Sequence, residues 1–469
     1  MDTTIGTTAK PGWQTLLSGR NAIKTLALAG GVTLHAMNVY MATTIMPSII
    51  KDIGGLTYYS WNTTIFIVAS IIGSVLSARN LVLQGPKVAY RMATIIFLAG
   101  TLIAAMAPAM YILLLGRFVQ GLGGGILFAL SYAMVRIVFE EALWARAIGL
   151  ISAMWGIAAL TGPFIGGIFA EFNVWRAAFG AIALLTLPLF FLNEKALPGR
   201  SGTDAAIPKI PTLKLLLLTL AVLSISFSSV FETLYASLMG VLEAIFFMSV
   251  LVWSEKRSAN RLLPLGAYKI SGRLGAAFLV ISLLSGVTTV EIYLPYFLQV
   301  IQKFSPLIAG YLTVVMSIGW SLASMFFSGV AAKHVKTILA TGAASMLTGM
   351  VGLAFLLPDE ISNGGIKLVF MSLFLLLIGL GIGMGWPHLL TRVFTSAVQG
   401  EEEKTAASIT TVQLLAMTFG AALSGVVVNA AGISVPGGLA GAQQAAVWLL
   451  GLFAFGPLIA LLVIIRQRN

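Results

Sequence analysis

Five residues able to carry a proton or hold a charge sit inside otherwise apolar runs: His35, Arg117, Glu243, Glu291 and His388. Arg117 lies in Leu-Leu-Leu-Gly-Arg-Phe-Val-Gln-Gly-Leu-Gly-Gly-Gly, residues 113–125. An arginine within a membrane span costs at least about 2.5–3.5 kcal/mol, so it must face a cavity, find a partner or snorkel to an interface. Gln120 follows one turn later on a similar face, and the glycines after it allow close helix approach. Glu291 stands about 27 Å along its helix from Arg273 by helical rise. Tyr293, Pro295 and Tyr296 follow it, which suits a bent segment lining a cavity. Carboxyl groups within a membrane suit proton uptake and release, so Glu291 and Glu243 are candidates for that chemistry. Glu232 falls at a tight turn and reads as solvated. His35 adds an imidazole, a group that titrates near neutral pH, although a lone histidine also serves as a plain hydrogen-bonding group. His388 follows Trp386-Pro387 after a glycine-rich stretch at 379–385, consistent with a substrate path and, more simply, with close packing. The three histidines lack metal-ligand spacing. Neither a metal nor an organic cofactor is expected.

The elements that hold these residues follow from composition. Of 469 residues, 58% are hydrophobic and 9% charged, with mean hydropathy +0.97. An ordinary soluble domain is about 25% charged. No water-soluble fold hides so much apolar surface, so lipid is the expected solvent for most of the chain. A soluble enzyme is excluded, and so is a disulfide scaffold, since the chain has no cysteine. Apolar runs of about 20 residues fall near 25–50, 61–78, 92–110, 111–135, 147–170, 177–193, 215–231, 236–254, 274–302, 304–332, 337–358, 368–391, 405–431 and 443–465. They are continuous rather than alternating, which favours helices over a β-barrel. The first twenty residues are polar and resemble no secretory leader, so the first span is expected to act as its own insertion signal.

Charge placement supports fourteen spans with both termini on the cytoplasmic side. Of 28 basic residues, only Lys51, Arg176, Lys303 and Lys367 fall on the far side, with Arg117 inside a span. That bias is the positive-inside pattern, and it accounts for the net charge of +12 without nucleic acid as a partner. Basic linkers near 194–214 and 255–273 divide the chain into a six-span unit (1–193), an extra pair of spans (194–273) and a second six-span unit (274–469). No segment has room for a nucleotide-binding domain, and no G-x-x-x-x-G-K-[ST] run is present. Short basic stretches at Gly85-Pro86-Lys87 and Lys333-His334-Val335-Lys336 occupy matching places in the two units, as in transporters built from parallel repeats.

The fifth span contains Gly156, Gly162, Pro163, Gly166 and Gly167. Proline removes a backbone donor and bends a helix, so the segment reads either as tight packing or as a hinge. Together with Arg-Phe-Val-Gln-Gly at 117–121, this stretch resembles the fourth- and fifth-helix signatures of the major facilitator superfamily. The core G-P-x-x-G-G falls at 162–167, with Trp175-Arg176 after it. Residues 38–47 are similar to that family's first-helix motif, and Ser305-Pro306 with Gly310 resembles the start of a later helix. With fourteen spans, the chain resembles the fourteen-helix drug:proton antiporters along nearly its whole length.

The resemblance implies an all-α membrane protein of two six-helix bundles plus two central helices. It implies alternating access at a midplane cavity, driven by a proton gradient. Proton transfer maps onto Arg117, and the hinge onto Gly162, Pro163, Gly166 and Gly167. Two departures stand out. The first-helix acid is Asn38 here, which cannot titrate. The loop after the second helix places Ser77 where an aspartate belongs, with extra residues before Gly85. The expected activity is export of amphipathic or hydrophobic compounds by a monomer in a bacterial inner membrane. Asn38, Gln120, Tyr293, Tyr296, Trp386 and His388 are the expected cavity residues. The rival readings are a carrier of one metabolite, siderophore or lipid, and, less favoured, a membrane-embedded enzyme, which would need clustered acids or histidines.

Overall fold

The computed structural model describes residues 13–199, 210–231, 234–258, 261–360, 364–399 and 401–467. Glu232 lies outside the described residues. Six long helices come first: α1 (Gly19–Ile53), α2 (Trp61–Gln84), α3 (Pro86–Ala105), α4 (Met110–Ala133), α5 (Glu141–Glu171) and α6 (Trp175–Ala196). A hairpin of α7 (Thr212–Ser228) and α8 (Leu234–Arg257) follows. The chain closes with α9 (Arg273–Val300), α10 (Pro306–Phe327), α11 (Val335–Leu356), α12 (Gly364–Thr395), α13 (Glu402–Ala430) and α14 (Gly438–Arg466).

Among the described residues, twelve of the helices are long and apolar enough to cross a membrane. The two outside that set differ in kind. α7 is apolar but only 17 residues long. α1 is 35 residues long but interrupts its apolar run with polar side chains. Thr25, His35, Asn38 and Thr44 of α1 are buried inside the bundle. A helix enclosed by other helices has no need of an apolar surface all round.

The expected loop between the second and third spans is corrected by the structure. α2 continues to Gln84 and α3 begins at Pro86, leaving Gly85 alone between them. Gly85 has φ +79°, which a residue without a Cβ adopts at little cost. Pro86 follows at the first helical position, where its missing N–H loses nothing. Lys87 and Arg91 therefore lie on a helix, where both pair with Glu194 of α6.

The packing repeats. α2 and α3 pack on α4, α1 packs on α5 and α6, and α3 on α6. Likewise α10 and α11 pack on α12, α9 packs on α13 and α14, and α11 on α14. Adding eight to each label converts one pattern into the other. Two seams join the halves, α5 against α10 and α2 against α13, and the same operation exchanges them. The α7–α8 hairpin has no counterpart. It packs on α13 and, through α7, on α2. Trp61 Nε1 donates to Ser226 O at 3.0 Å, and Asn429 Nδ2 donates to Ser229 O at 2.8 Å. At its other end, Lys214 and Glu255 form a buried ion pair, and Glu255 also accepts from the backbone N–H groups of Leu262 and Leu263.

The seams close towards one end of the bundle. Asn429 Nδ2 donates to Thr57 O at 2.9 Å, the Thr57 and Ser434 hydroxyls meet at 3.4 Å, and Ser305 Oγ donates to Glu171 at 3.4 Å. Tyr59 stacks on Tyr293 with ring centroids 4.7 Å apart. At the opposite end, where Lys24, Lys87, Arg91, Lys256 and Lys336 gather, Lys24 donates to Val138 O within the first half. Lys336 there donates to Gln467 O within the second. Towards that basic end Ile148, Ile157 and Leu160 of α5 are exposed, as are Leu322, Met325 and Phe326 of α10.

Candidate functional site

Arg117 is 1% exposed and lies inside the first half, which excludes snorkelling to an interface. Its Nη1 donates to Gln120 Oε1 at 2.7 Å and its Nε to Asn62 O at 3.3 Å. Gln120 Nε2 donates onward to Thr101 Oγ1 at 2.8 Å, and Thr101 to Phe97 O at 2.7 Å. The Phe66 ring covers the guanidinium, with Cζ 4.2 Å from the centroid. Among the described residues no carboxylate pairs with it. The cation is held by amide oxygens and an aromatic face, interactions that strengthen when desolvated. The helix contacts permit this because Gly121 and Gly125 of α4 lie against the α2 backbone at Phe66 and Ser70, where a Cβ would collide.

His35 also lies against Phe66, ring centroids 5.2 Å apart. It is buried against Phe128 and Trp155, with Nδ1 facing Gly124. Asn38, three residues on, is fully buried, and neither of its amide atoms has a protein partner. A buried amide without partners costs about 1–3 kcal/mol, so this position is polar at the expense of stability.

From His35 an aromatic path leads between the halves. Trp155 lies 6.1 Å from His35 and 6.4 Å from Tyr40, ring to ring. The Tyr40 hydroxyl is 3.5 Å from Ser317 Oγ of α10. Tyr40, Phe128, Trp155, Glu291 and Ser317 are each only partly buried. Tyr40 and Ser317 among them bring α1 and α10 together across the two halves. Glu291 sits on a 3₁₀ turn, Thr288–Ile292, that interrupts α9, and this break agrees with the bend expected there.

The glycines of α5 divide by role. A Cβ on Gly162 would meet Met37 O and the Tyr40 Cβ, and one on Gly166 would meet Met41 O, so both fit α5 closely to α1. A Cβ on Gly167 would fall 2.8 Å from the Leu307 Cα, and one on Gly310 3.2 Å from the Pro163 Cβ. These two positions fit α5 to α10 across the seam. Gly156 has open space around it and joins neither contact. Pro163 sits within the continuous helix α5.

The profile described as Major Facilitator Superfamily matches residues 28–425. The chain belongs to the major facilitator superfamily. It is a membrane transporter, not an enzyme. It is similar to a probable multidrug-efflux transporter of Mycobacterium tuberculosis, 35% identical over 89% of this chain and 90% of that protein. It is also similar to the multidrug transporter protein MdtP of Bacillus subtilis, 26% identical over 88% and 76%. Among solved structures it shares its fold with a peptide transporter, POT, in complex with sulfate. That match has TM-score 0.67 and 16% identity over 94% of each chain. A D-xylose-proton symporter matches with TM-score 0.63 and 16% identity over 95% and 97%.

Within this superfamily fold the remaining expected cavity residues fall elsewhere. Gln120 is fully buried in the Arg117 network rather than facing open space. Tyr293 is fully buried in the stack with Tyr59, and Tyr296 packs edge-on to Tyr59 at 5.6 Å, so both belong to the closed end of the seam. His388 is buried, with Nε2 2.8 Å from Phe327 O, which places it in helix packing. Trp386 packs against Trp320 at 5.4 Å within the second half. Glu243 lies on the outward face of α8, away from the seam. The sequence reading passed over Tyr40, Phe128, Trp155 and Ser317. Tyr40 and Trp155 had a signal, because they adjoin the two quoted motifs at Asn38 and Gly156.

Proposed function

We propose that this transporter exports amphipathic or hydrophobic compounds in exchange for protons, moving between states open to opposite sides of a bacterial inner membrane. The observation that supports it is the partly buried path of Phe128, Trp155 and Tyr40 reaching Ser317 of the other half, between halves that meet tightly at one end, with Glu291 partly buried on the broken helix α9. Aromatic faces recognise apolar bodies with few geometric demands, and a carboxyl at the boundary takes up and releases protons. The multidrug-efflux relative at 35% identity points to the same class of substrate.

In this reading the basic end is cytoplasmic, α1 and α7 join the twelve long apolar helices to make fourteen spans, and both termini are inside. The closed seam then represents the inward-open state. The protein works as a monomer with the proton gradient as its energy source and no cofactor. Arg117 and His35 form the polar end of the coupling path, Glu291 its protonation site, and Gly162, Pro163, Gly166 and Gly167 the pivot. Glu243 has no part in coupling because of its place on the outer face of α8.

The test is transport in proteoliposomes under an imposed pH gradient, with a lipophilic cation and a neutral hydrophobic dye as probes. Gradient-driven movement of either, lost in Glu291→Gln, is the expected result. Failure of the folded protein to move any such probe would favour a carrier of one metabolite or lipid.

A further inference from the structure

The outer surface of the molecule has a groove of about 600 Å³ between α8 and α13, outside the path described above. Its walls are Val241, Ile245, Met248 and Trp253 of α8 with Phe419 and Leu423 of α13, and Lys256 lies at its basic end. We propose that this groove binds one acyl chain of an anionic phospholipid, with the headgroup phosphate held by Lys256.

The dimensions fit. From Val241 to Lys256 is about 22 Å by helical rise, against about 15 Å for the hydrocarbon of one leaflet, half of about 30 Å. The groove therefore runs from headgroup level down through one leaflet. The charges fit as well. Lys256 and Arg257 form no ion pair with a described residue, while the adjacent Glu255 is committed to Lys214. The Arg257 guanidinium lies 4.2 Å over the Trp253 ring, an aromatic anchor of the kind found at headgroup depth. Basic pockets between transmembrane helices favour anionic headgroups. Glu243 is exposed on the same helix, about 20 Å from Lys256 by helical rise. It is not one of the groove's walls, so Lys256 is the charged side chain that lines the groove.

The test is native mass spectrometry of the full chain with phosphatidylglycerol or phosphatidylcholine of matched acyl chains. The protein is expected to retain one phosphatidylglycerol in preference to phosphatidylcholine. Lys256→Ala lowers that preference about fivefold, the equivalent of about 1 kcal/mol for one basic contact, and Lys256→Arg restores it. Ser249→Trp, on an exposed position lining the groove, fills it and removes the retained lipid of either type. Equal retention of both lipids, a preference unchanged in Lys256→Ala, or a lipid surviving Ser249→Trp would each overturn the proposal.

Discussion

Gly167→Ala is the sharpest probe of the seam between the halves. The added Cβ would lie 2.8 Å from both the Cα and a Cδ of Leu307. Ordinary carbon contacts fall at about 3.5–4.0 Å, so α5 and α10 must separate there by about 1 Å. The Cα belongs to the backbone of α10 and cannot swing aside as a side-chain tip would. Such overpacking costs about 1–3 kcal/mol. Only the state with the seam closed bears that cost. The preference of Ala over Gly in a helix, about 0.8–1.0 kcal/mol, acts in both states and cancels. The population of the closed seam therefore falls about 5–150-fold relative to the open one. The chain has no cysteine, so spin labels at Phe172→Cys and Lys303→Cys report the distance across the seam without background. Both positions are exposed and flank the Ser305–Glu171 contact. Gly167→Ala should shift the distances outward, while Gly180→Ala, whose Cβ meets nothing, should leave them alone. Identical distance distributions in Gly167→Ala and the parent would refute the assignment of this contact to a moving interface.

Other substitutions test the site and its supports. Arg117→Ala leaves Gln120 and the Asn62 carbonyl without their charged donor, and should lower stability by about 1.5–3 kcal/mol and gradient-driven transport at least tenfold. Arg117→Lys recovers part of the stability, seen by thermal unfolding in detergent, but not the transport. Glu291→Gln should abolish uptake driven by a pH gradient while leaving substrate counterflow within about threefold, because the amide keeps the shape and loses the proton. Lys214→Ala should destabilise the hairpin by about 3–5 kcal/mol, the cost of stranding a buried charge, whereas Lys214→Met with Glu255→Leu should recover much of that loss. His388→Ala should change transport less than twofold while lowering the unfolding temperature, in line with its bond to Phe327.

The order of helices was legible in the sequence because each apolar run is long and the charges alternate between its ends. Their exact limits were not, since α2 and α3 extend past the apolar run into Arg79, Lys87 and Arg91, which composition alone reads as loop. Arg117 and Glu291 were visible as costly residues in apolar runs, and the structure gives both a polar or half-open surrounding. Tyr293 and Gln120 illustrate the limit. A polar residue beside a bend or one turn from a charge faces whichever neighbour packs there, and that neighbour comes from a distant part of the chain. Tyr59 claims Tyr293, and Thr101 claims Gln120. Trp155 was missed for the opposite reason: an aromatic residue in an apolar run carries no sequence mark of being only partly buried.

The hairpin α7–α8 breaks a symmetry that the other twelve helices respect. The seam of α2 with α13 and the seam of α5 with α10 are interchanged by the internal repeat, yet α7 lies only against the first. Trp61 and Asn429 fasten it there, one from each half. The two sides of the molecule are thus unequal doorways. A compound dissolved in the bilayer and moving sideways towards the interior meets the hairpin on one side. On the other it meets the bare flanks of α5 and α10, where Ile157, Leu160 and Leu322 are exposed. If the proposed substrates enter sideways from lipid, the flank of α5 and α10 is the one the hairpin leaves uncovered.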